Sequence, residues 1–521
     1  MVAPRLRVVE NSPSSSRRGE TLSIQEIDPP LQRPADYPLG EPYDEMFAAS
    51  GETRPHYSLL HSQIEALGPQ ALADRQRTLE RSFLLQGITF TVYGGESTTE
   101  RIIPTDLFPR IISAPEWATI EAGLIQRLRA LNLFMADIYG PQKILSDGLI
   151  PRDLVLGAPS YRREMQHLFV PNQAYVNVCG SDLIRGPGGE FFVLEDNLRV
   201  PSGVSYMLAN REASRRTFPD VFREVGVRPV ERYPDLLLAT LKSMAGDWRP
   251  NPQVVVLTPG VYNSAYYEHA YLARLMGVPL VEGRDLAVHD DLVYMRTTAG
   301  LQRVDVIYRR VDDDFIDPLT FRRDSALGVA GLFNAYRSGA VVICNAPGTG
   351  VADDKAVYAY VPAIIRYYLG EDAILPSVKT YLCRNPKELD HVLGNLETLV
   401  VKAVGASGGY GMLVGPHATR AEREAFAEAL KANPDNYIAQ PTIQLSTAPC
   451  LVEGAIEPRH VDLRPFILCG DKVVVTPGAL TRVALKRGSL VVNSSQGGGS
   501  KDTWVLSGEP AWPGARGAFH A

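Results

Sequence analysis

Apolar residues recur at spacings of three and four along two long stretches of this chain, 60–84 and 117–138. In the second, Ile120, Leu124, Leu128, Leu131 and Met135 fall on one stripe, with Glu121, Gln126, Arg127 and Arg129 on a more polar side. That period predicts two amphipathic helices. Elsewhere the period shortens to two. GITFTVYG (87–94) reads as a strand closed by a glycine turn. AYVNVCGSDLIRG (174–186) alternates, turns over 186–189 and resumes as EFFVLEDN (190–197), which predicts a hairpin. On its second strand Glu195 and Asn197 share a face, and Asp196 points the opposite way.

From residue 254 short apolar runs alternate with a helical pattern. VVVLTPG (254–260), VPLVEG (278–283), DVIYRRV (305–311) and AVVICNAPG (340–348) read as strands, with a helix over 266–276. This alternation predicts an open α/β unit whose strand-end loops favour ligands. Further helices are expected over 209–218, 233–244, 388–399 and 419–432. TLVVKAVG (398–405) and YIAQP (437–441) read as strands. HVDLRPFILCG (460–470) and KVVVTPGALTRVAL (472–485) read as an antiparallel pair. Residues 1–52 are rich in Pro, Ser, Arg and Glu, and ordered structure is expected to begin near His56.

Composition narrows the class. A chain of 521 residues exceeds one ordinary core, and 45% hydrophobic residues suffice for several. A net charge of -6 gives no bulk attraction to nucleic acid or anionic membrane. The five cysteines, at 179, 344, 383, 450 and 469, form no CxxC pair, and their odd number argues against a disulfide scaffold. A reducing cytoplasm is the expected compartment. The first residues lack the apolar run of a secretory signal, and no stretch of about 18 uninterrupted apolar residues occurs.

Two segments carry candidate chemistry. In VKAVGASGGYGM (401–412), Lys402 leads into Gly405, Ser407, Gly408, Gly409 and Gly411. Small residues let backbone amides approach phosphate oxygens, and Lys402 adds positive charge. The run is neither GxxxxGK[ST] nor a GxGxxG opening a Rossmann helix. The bland alternative is an ordinary glycine turn. In EDNLRVPSG (195–203), Glu195 and Asn197 lie two apart, with Asp182 across the hairpin. Two carboxylates and a carboxamide suit Mg²⁺ better than zinc. The bland alternative here is a solvated strand end. Arg199 follows in the same alternation, suited to an acyl phosphate or a substrate carboxylate.

These segments resemble the ATP-grasp superfamily, and more closely its circularly permuted branch related to glutathionylspermidine synthetase-like carboxylate–amine ligases. The supporting runs are ITFTVYG (88–94), FFVLEDNLRVPSGVSYMLANR (191–211), GVADDKAVYAYVP (350–362) and VKAVGASGGYGM (401–412). The resemblance implies an α/β and α+β fold: a circularly permuted ATP-grasp fold with an open α/β pre-ATP-grasp domain. The expected division is a flexible or surface-wrapping arm (1–55), helices with the metal-binding half (56–252), the open α/β domain (253–375), a nucleotide-lid subdomain (376–445), and returning strands with a tail (446–521).

The same resemblance implies ATP and Mg²⁺ as cofactors. It matches Asp182, Glu195 and Asn197 to the metal ligands. It assigns Lys355 and Lys402 to phosphate, Gln440 to the adenine hinge, and Arg464 to the triphosphate, with Asp462 either orienting Arg464 or held in a structural ion pair. Gly405, Ser407, Gly408, Gly409 and Gly411 complete the nucleotide set. Arg199, Arg464 and Lys402 are the expected catalytic residues. The implied reaction joins a small-molecule or peptide carboxylate to an amine through an acyl phosphate, releasing ADP and phosphate. The alternatives are an ATP-dependent phosphotransferase, and a nucleotide-binding scaffold or peptide-modification partner without turnover. Neither nucleic acid nor membrane is an expected partner, and a homo-oligomer is left open.

Three further groups have two readings each. Ser500 and Lys501 in SQGGGSKDTWV (495–505) belong to a second loop over the site or to a surface hairpin. Tyr262, Asn263, Tyr266, Glu268 and His269 line a substrate cleft or are structural. Arg309 and Arg310 bind a substrate carboxylate or hold the acidic run Asp312, Asp313 and Asp314.

Overall fold

The computed structural model describes residues 33–34, 36–92, 99–246, 249–405, 411–490, 492 and 498–508, with backbone only over 89–92 and 99–102. The predicted hairpin forms from Val178–Arg185 and Phe191–Asn197, later-starting than its alternation suggested. Gly189 turns it with φ +91°, a conformation that favours glycine. Beside Val178–Arg185 lies Ala455–Cys469, then Val473–Val483, then Gly499–Lys501. Strands from the first half of the chain therefore share one antiparallel sheet with strands from its end. The intervening chain builds three other sheets.

The first of these is parallel, in the order Val342–Cys344, Val306–Arg309, Val254–Leu257, Leu280–Val281. It is the predicted open α/β sheet, with the helix Tyr266–Met276 against it. A three-stranded antiparallel sheet over residues 286–303 was not anticipated. Its edge strand Gly300–Arg303 is almost wholly exposed and so lacks apolar alternation. The third sheet is antiparallel: Tyr381–Leu382, Tyr437–Pro441, Leu399–Ala403, Met412–Val414. Val392, Leu396, Leu399, Val401 and Leu430 give it a core of its own, separate from the main one.

The helix Ala114–Ile138 starts at a Ser113–Glu116 capping box and buries its predicted stripe. Of its polar side, Gln126 and Arg127 are buried too, while Arg129 is exposed. Gln126 Nε2 donates to the Asp372 carbonyl at 2.9 Å, and Arg127 Nε donates to Asp196 at 2.7 Å. The first helix runs over Ser58–Leu85, broken at Gly68 ahead of Pro69. The helix expected over 209–218 begins earlier, at Val204, and the one expected over 388–399 ends at Gly394. Among the described residues no helix is long and apolar enough to cross a membrane.

The ordered chain begins ahead of His56. Tyr37, Met46 and Phe47 are buried, and Glu45 lies 2.5 Å from Arg110 and 3.2 Å from Arg185. Burial pushes the Glu45 carboxyl up, but the two guanidiniums outweigh it and hold it below its usual value. Nothing periodic in the sequence marks such a contact. At the other end, Asp502 pairs with buried Arg211 at 2.9 Å, and Lys501 pairs with Asp106.

Asn345 fastens the parallel sheet to the hairpin. Its Oδ1 accepts from the backbone N–H groups of Asn177 at 2.7 Å and Val178 at 2.8 Å. Its Nδ2 donates to the carbonyls of Val178 and Leu198, both at 2.7 Å. All are shielded from water, so truncation leaves them unsatisfied. Asn345→Ala is expected to cost about 3 kcal/mol, read as a lowered urea midpoint. A midpoint equal to wild type would show that these bonds do not hold the two sheets together.

Candidate active site

A cleft of about 520 Å³ opens where the hairpin, the return strands and the α/β unit meet. Glu195, Asn197, Arg199, Lys355, Gly405 and Arg464 all line it. These six were read from separate stretches of sequence, and folding brings them to one cavity.

Strand pleating arranges the first part. Glu195 and Asn197 face the cleft, while the Asp196 carboxylate turns to Arg127 at 2.7 Å and Ser181 at 2.8 Å. Asn197 Nδ2 donates to the Gly180 carbonyl at 3.0 Å, which leaves its Oδ1 as an acceptor. Asp182 pairs with Glu195 across the hairpin and is 1% exposed. Both its oxygens are engaged: Arg464 Nε at 2.5 Å and Nη2 at 2.7 Å, and Arg482 Nη2 at 2.7 Å. Burial raises this carboxyl, but Arg464 and Arg482 outweigh it and hold it well below the usual range. Asp462 does not orient Arg464. It binds Arg482, whose Nε lies 2.9 Å from its Oδ1. Arg482 also lines the cleft and was not singled out from sequence. Its place opposite Asp462 follows only from the register of the return strands.

Among the described residues no three His, Cys, Asp or Glu side chains gather for a metal. Of the expected set, Glu195 and Asn197 present a carboxylate and a carboxamide to the cleft, while Asp182 gives both its oxygens to Arg464 and Arg482. Such oxygen donors fit a hard divalent ion that keeps several waters.

Lys355 opens a short helix, Lys355–Tyr358, capped by the Asp354 side chain. Lys402 sits on Leu399–Ala403 and donates from Nζ to Gln440 Oε1 at 2.8 Å. Gln440 Nε2 in turn donates to Thr380 Oγ1 at 3.0 Å. Burial lowers the Lys402 ammonium's pKa, and Lys355 adds to this, while Glu195 and Asp182 oppose it. Gly411 has φ +65° where the glycine-rich run returns to strand. Ser407, Gly408 and Gly409 lie outside the described residues.

Arg199 is held by Asp353 at 2.8 Å and Asp312 at 3.3 Å. Sequence reasoning missed Asp353 because it read ADDK only for its lysine. It also missed Arg162 and Ser160, which line the cleft from a segment with no periodic signal. Several other candidates are committed elsewhere. Arg309 binds Asp313 at 2.6 Å, and Arg310 lies 3.4 Å from Glu268. His269 is buried against Thr258 Oγ1 at 2.9 Å. Glu268 caps the helix Val204–Thr217, accepting from the N–H groups of Gly203 at 2.8 Å and Ser205 at 3.0 Å. Ser500 and Lys501 are buried away from the cleft, Ser500 against Thr105 and Lys501 against Asp106. Tyr262 is 91% exposed.

Comparison with known proteins identifies the family and the fold. The family described as "Circularly permuted ATP-grasp type 2" matches residues 109–484. The chain is 54% identical over 473 residues to an uncharacterized protein of Synechocystis, covering 91% of this chain and 98% of that one. It is 52% identical over 466 residues to an uncharacterized protein of Mycobacterium tuberculosis, covering 89% and 84%. A putative glutamate–cysteine ligase of Frankia alni is 43% identical over 89% of this chain, which spans 54% of that longer protein. The fold is similar to a glutathione synthetase-like effector of Globodera pallida in its apo form, with TM-score 0.53 and 11% identity over 84% of this chain and 98% of that one.

Burial pushes the Asp353 carboxyl from 3.8 up to about 6, against the pull of Arg199. A group that holds its proton more tightly folded than unfolded makes stability fall as pH rises through that interval. Asp353→Asn is expected to remove this fall between pH 3.8 and about 6. Urea midpoints of wild type and variant that run parallel across the window would overturn the assignment.

Proposed function

The chain belongs to the circularly permuted ATP-grasp type 2 family, and from that premise we propose that it is an ATP- and Mg²⁺-dependent carboxylate–amine ligase. The observation that carries the reading is the shared cleft. Oxygen donors Glu195 and Asn197 and the cations Lys355, Arg199 and Arg464 line the same cavity. The putative glutamate–cysteine ligases among its relatives support an amide-forming reaction. This chain spans about half of each, so they do not name its substrates.

In this reading Asp182, Glu195 and Asn197 hold the metal. Lys355, Lys402 and Arg464 hold the phosphate chain, and Gly405 offers it a backbone amide. Bound Mg-ATP would supply the phosphoryl group, its charge partly neutralised by the metal. Arg199 steadies the substrate carboxylate as one of its oxygens takes that group and ADP leaves. The amine nitrogen then attacks the acyl carbon, the bond to the phosphate oxygen breaks, and the amine's proton passes to solvent. No covalent protein residue is required. Preorganised cations lower the barrier by stabilising charge where it develops.

The test is transfer of ¹⁸O. With Mg-ATP, a labelled carboxylate pool and an amine pool, label is expected in the released phosphate, together with a condensation product seen by mass spectrometry. Label-free phosphate in a productive reaction would sink the acyl phosphate and favour phosphotransfer to another acceptor. Lys402→Ala and Glu195→Ala are each expected to reduce turnover about tenfold or more, since each removes a charged partner of the reacting phosphate or its metal. Unchanged turnover and nucleotide affinity in both folded variants would overturn the site.

A further inference from the structure

The cleft extends past the residues that this reading uses. Its outer wall is built from Ser160, Arg162, Asp312 and Asp314, with the Arg199 side chain as its inner border. Arg162 Nη2 lies 2.6 Å from Asp314 Oδ1, and Arg199 Nη1 lies 3.3 Å from Asp312 Oδ2. Cation and anion therefore alternate along the wall.

These pairs differ from the structural ones. Arg127 and Asp196 are each 2% exposed, and neither can be approached. Arg199 and Asp312 are 35% and 39% exposed, and Asp314 is 55% exposed. Ion pairs of that kind are weakly held in water and exchange readily for a better-placed partner. Asp313, between the two open carboxylates, is withdrawn to Arg309 and to the Gly348 N–H at 2.9 Å.

The two guanidiniums line the cleft and are held in place, the Arg199 side chain 35% exposed and that of Arg162 16%. The Arg162 backbone N–H donates to Tyr139 Oη at 3.0 Å, and its guanidinium lies 5.4 Å over the Phe321 ring. Arg162 Nε has no hydrogen-bond partner among the described residues and lies 3.7 Å from Asp313. The Arg199 stem packs on Gly350. A Cβ there would lie 2.6 Å from Arg199 Cδ and 2.9 Å from Ser160 Cβ. Only glycine lets this arm and Ser160 close on that loop.

We infer that this outer wall, resting on the ligase reading above, is a subsite for a free α-amino acid, whose carboxylate meets Arg162 and Arg199 and whose ammonium meets Asp312 and Asp314. A lone carboxylate would gain the guanidiniums but face the aspartates. A lone ammonium would meet the reverse. A dipolar ligand replaces both wall pairs with charge-assisted hydrogen bonds of its own. The subsite adjoins the Glu195 and Asn197 end of the cleft through Arg199, so the amino acid would sit beside the transferred phosphoryl group.

The experiment is calorimetric titration of the full chain, with Mg²⁺ and a non-hydrolysable ATP analogue present. The probes are the proteinogenic L-amino acids, each beside its N-acetylated and its C-amidated form. At least one free amino acid is expected to bind, with both blocked forms about tenfold weaker or more. Arg162→Gln and Asp314→Asn should each weaken that amino acid about tenfold and leave the analogue's affinity unchanged, which also reports their folding. Binding of the analogue without any amino acid would overturn the subsite and spare the nucleotide reading. Equal binding of a blocked form, or of the free amino acid by both variants, would also overturn it. Failure of the analogue itself to bind would overturn both.

Discussion

A buried carboxylate shared between two guanidiniums is the constraint on which the molecule depends. Asp182 comes from the first hairpin, Arg464 and Arg482 from the return strands, 282 and 300 residues further along. An unpaired charge at that depth is strongly destabilising, while a paired and hydrogen-bonded one is tolerated. The return strands must therefore meet the hairpin in the one register that neutralises Asp182. That register also sets Arg464 in the cleft wall, two residues along from Asp462 and its own partner Arg482. Architecture and chemistry rest on the same ion pairs.

The hairpin's second strand divides its labour by pleat. Asp196 turns inward to Arg127 and ties the sheet to the helix Ala114–Ile138. Glu195 and Asn197 turn outward to the cleft. Asn345 then fixes both ends of the hairpin to the parallel sheet through its backbone bonds. The donors in the cleft are thus carried by strands anchored on every other side. Precision of that kind is what stabilising a developing charge demands, because a donor already in place need not reorganise.

Much of this was legible in sequence because it is periodic or local. The stripe from Ile120 to Met135 marked a helix, the two-residue spacing of Glu195 and Asn197 marked a shared face, and VVVL marked a parallel strand. What escaped was set by contacts between distant segments. Arg127 reads as the polar side of a helix until Asp196 arrives to pair with it. Lys501 reads as a loop lysine until Asp106 and the Pro449 carbonyl enclose it. Arg482 follows from no motif, only from strand register. His269 and Glu268 looked chemical by residue type, yet His269 is engaged by Thr258 and Glu268 by the start of the distant helix Val204–Thr217. Ion pairs carry no period, so a one-dimensional reading registers the charge and misses its partner.

The buried pairing at the two ends of the described chain has a consequence for what counts as the unit of inheritance here. The family likeness spans 109–484. Electrically that span is open. Arg110 finds its counter-charge in Glu45, before it begins, and Arg211 finds its own in Asp502, after it ends; Arg185 divides between Glu45 and Glu116. Neutrality closes only over a longer stretch than the family model matches. The flanks behave as obligate counter-ions of the machine they border, and a graft of the recognised portion alone would carry two naked guanidiniums, Arg110 and Arg211, into its interior.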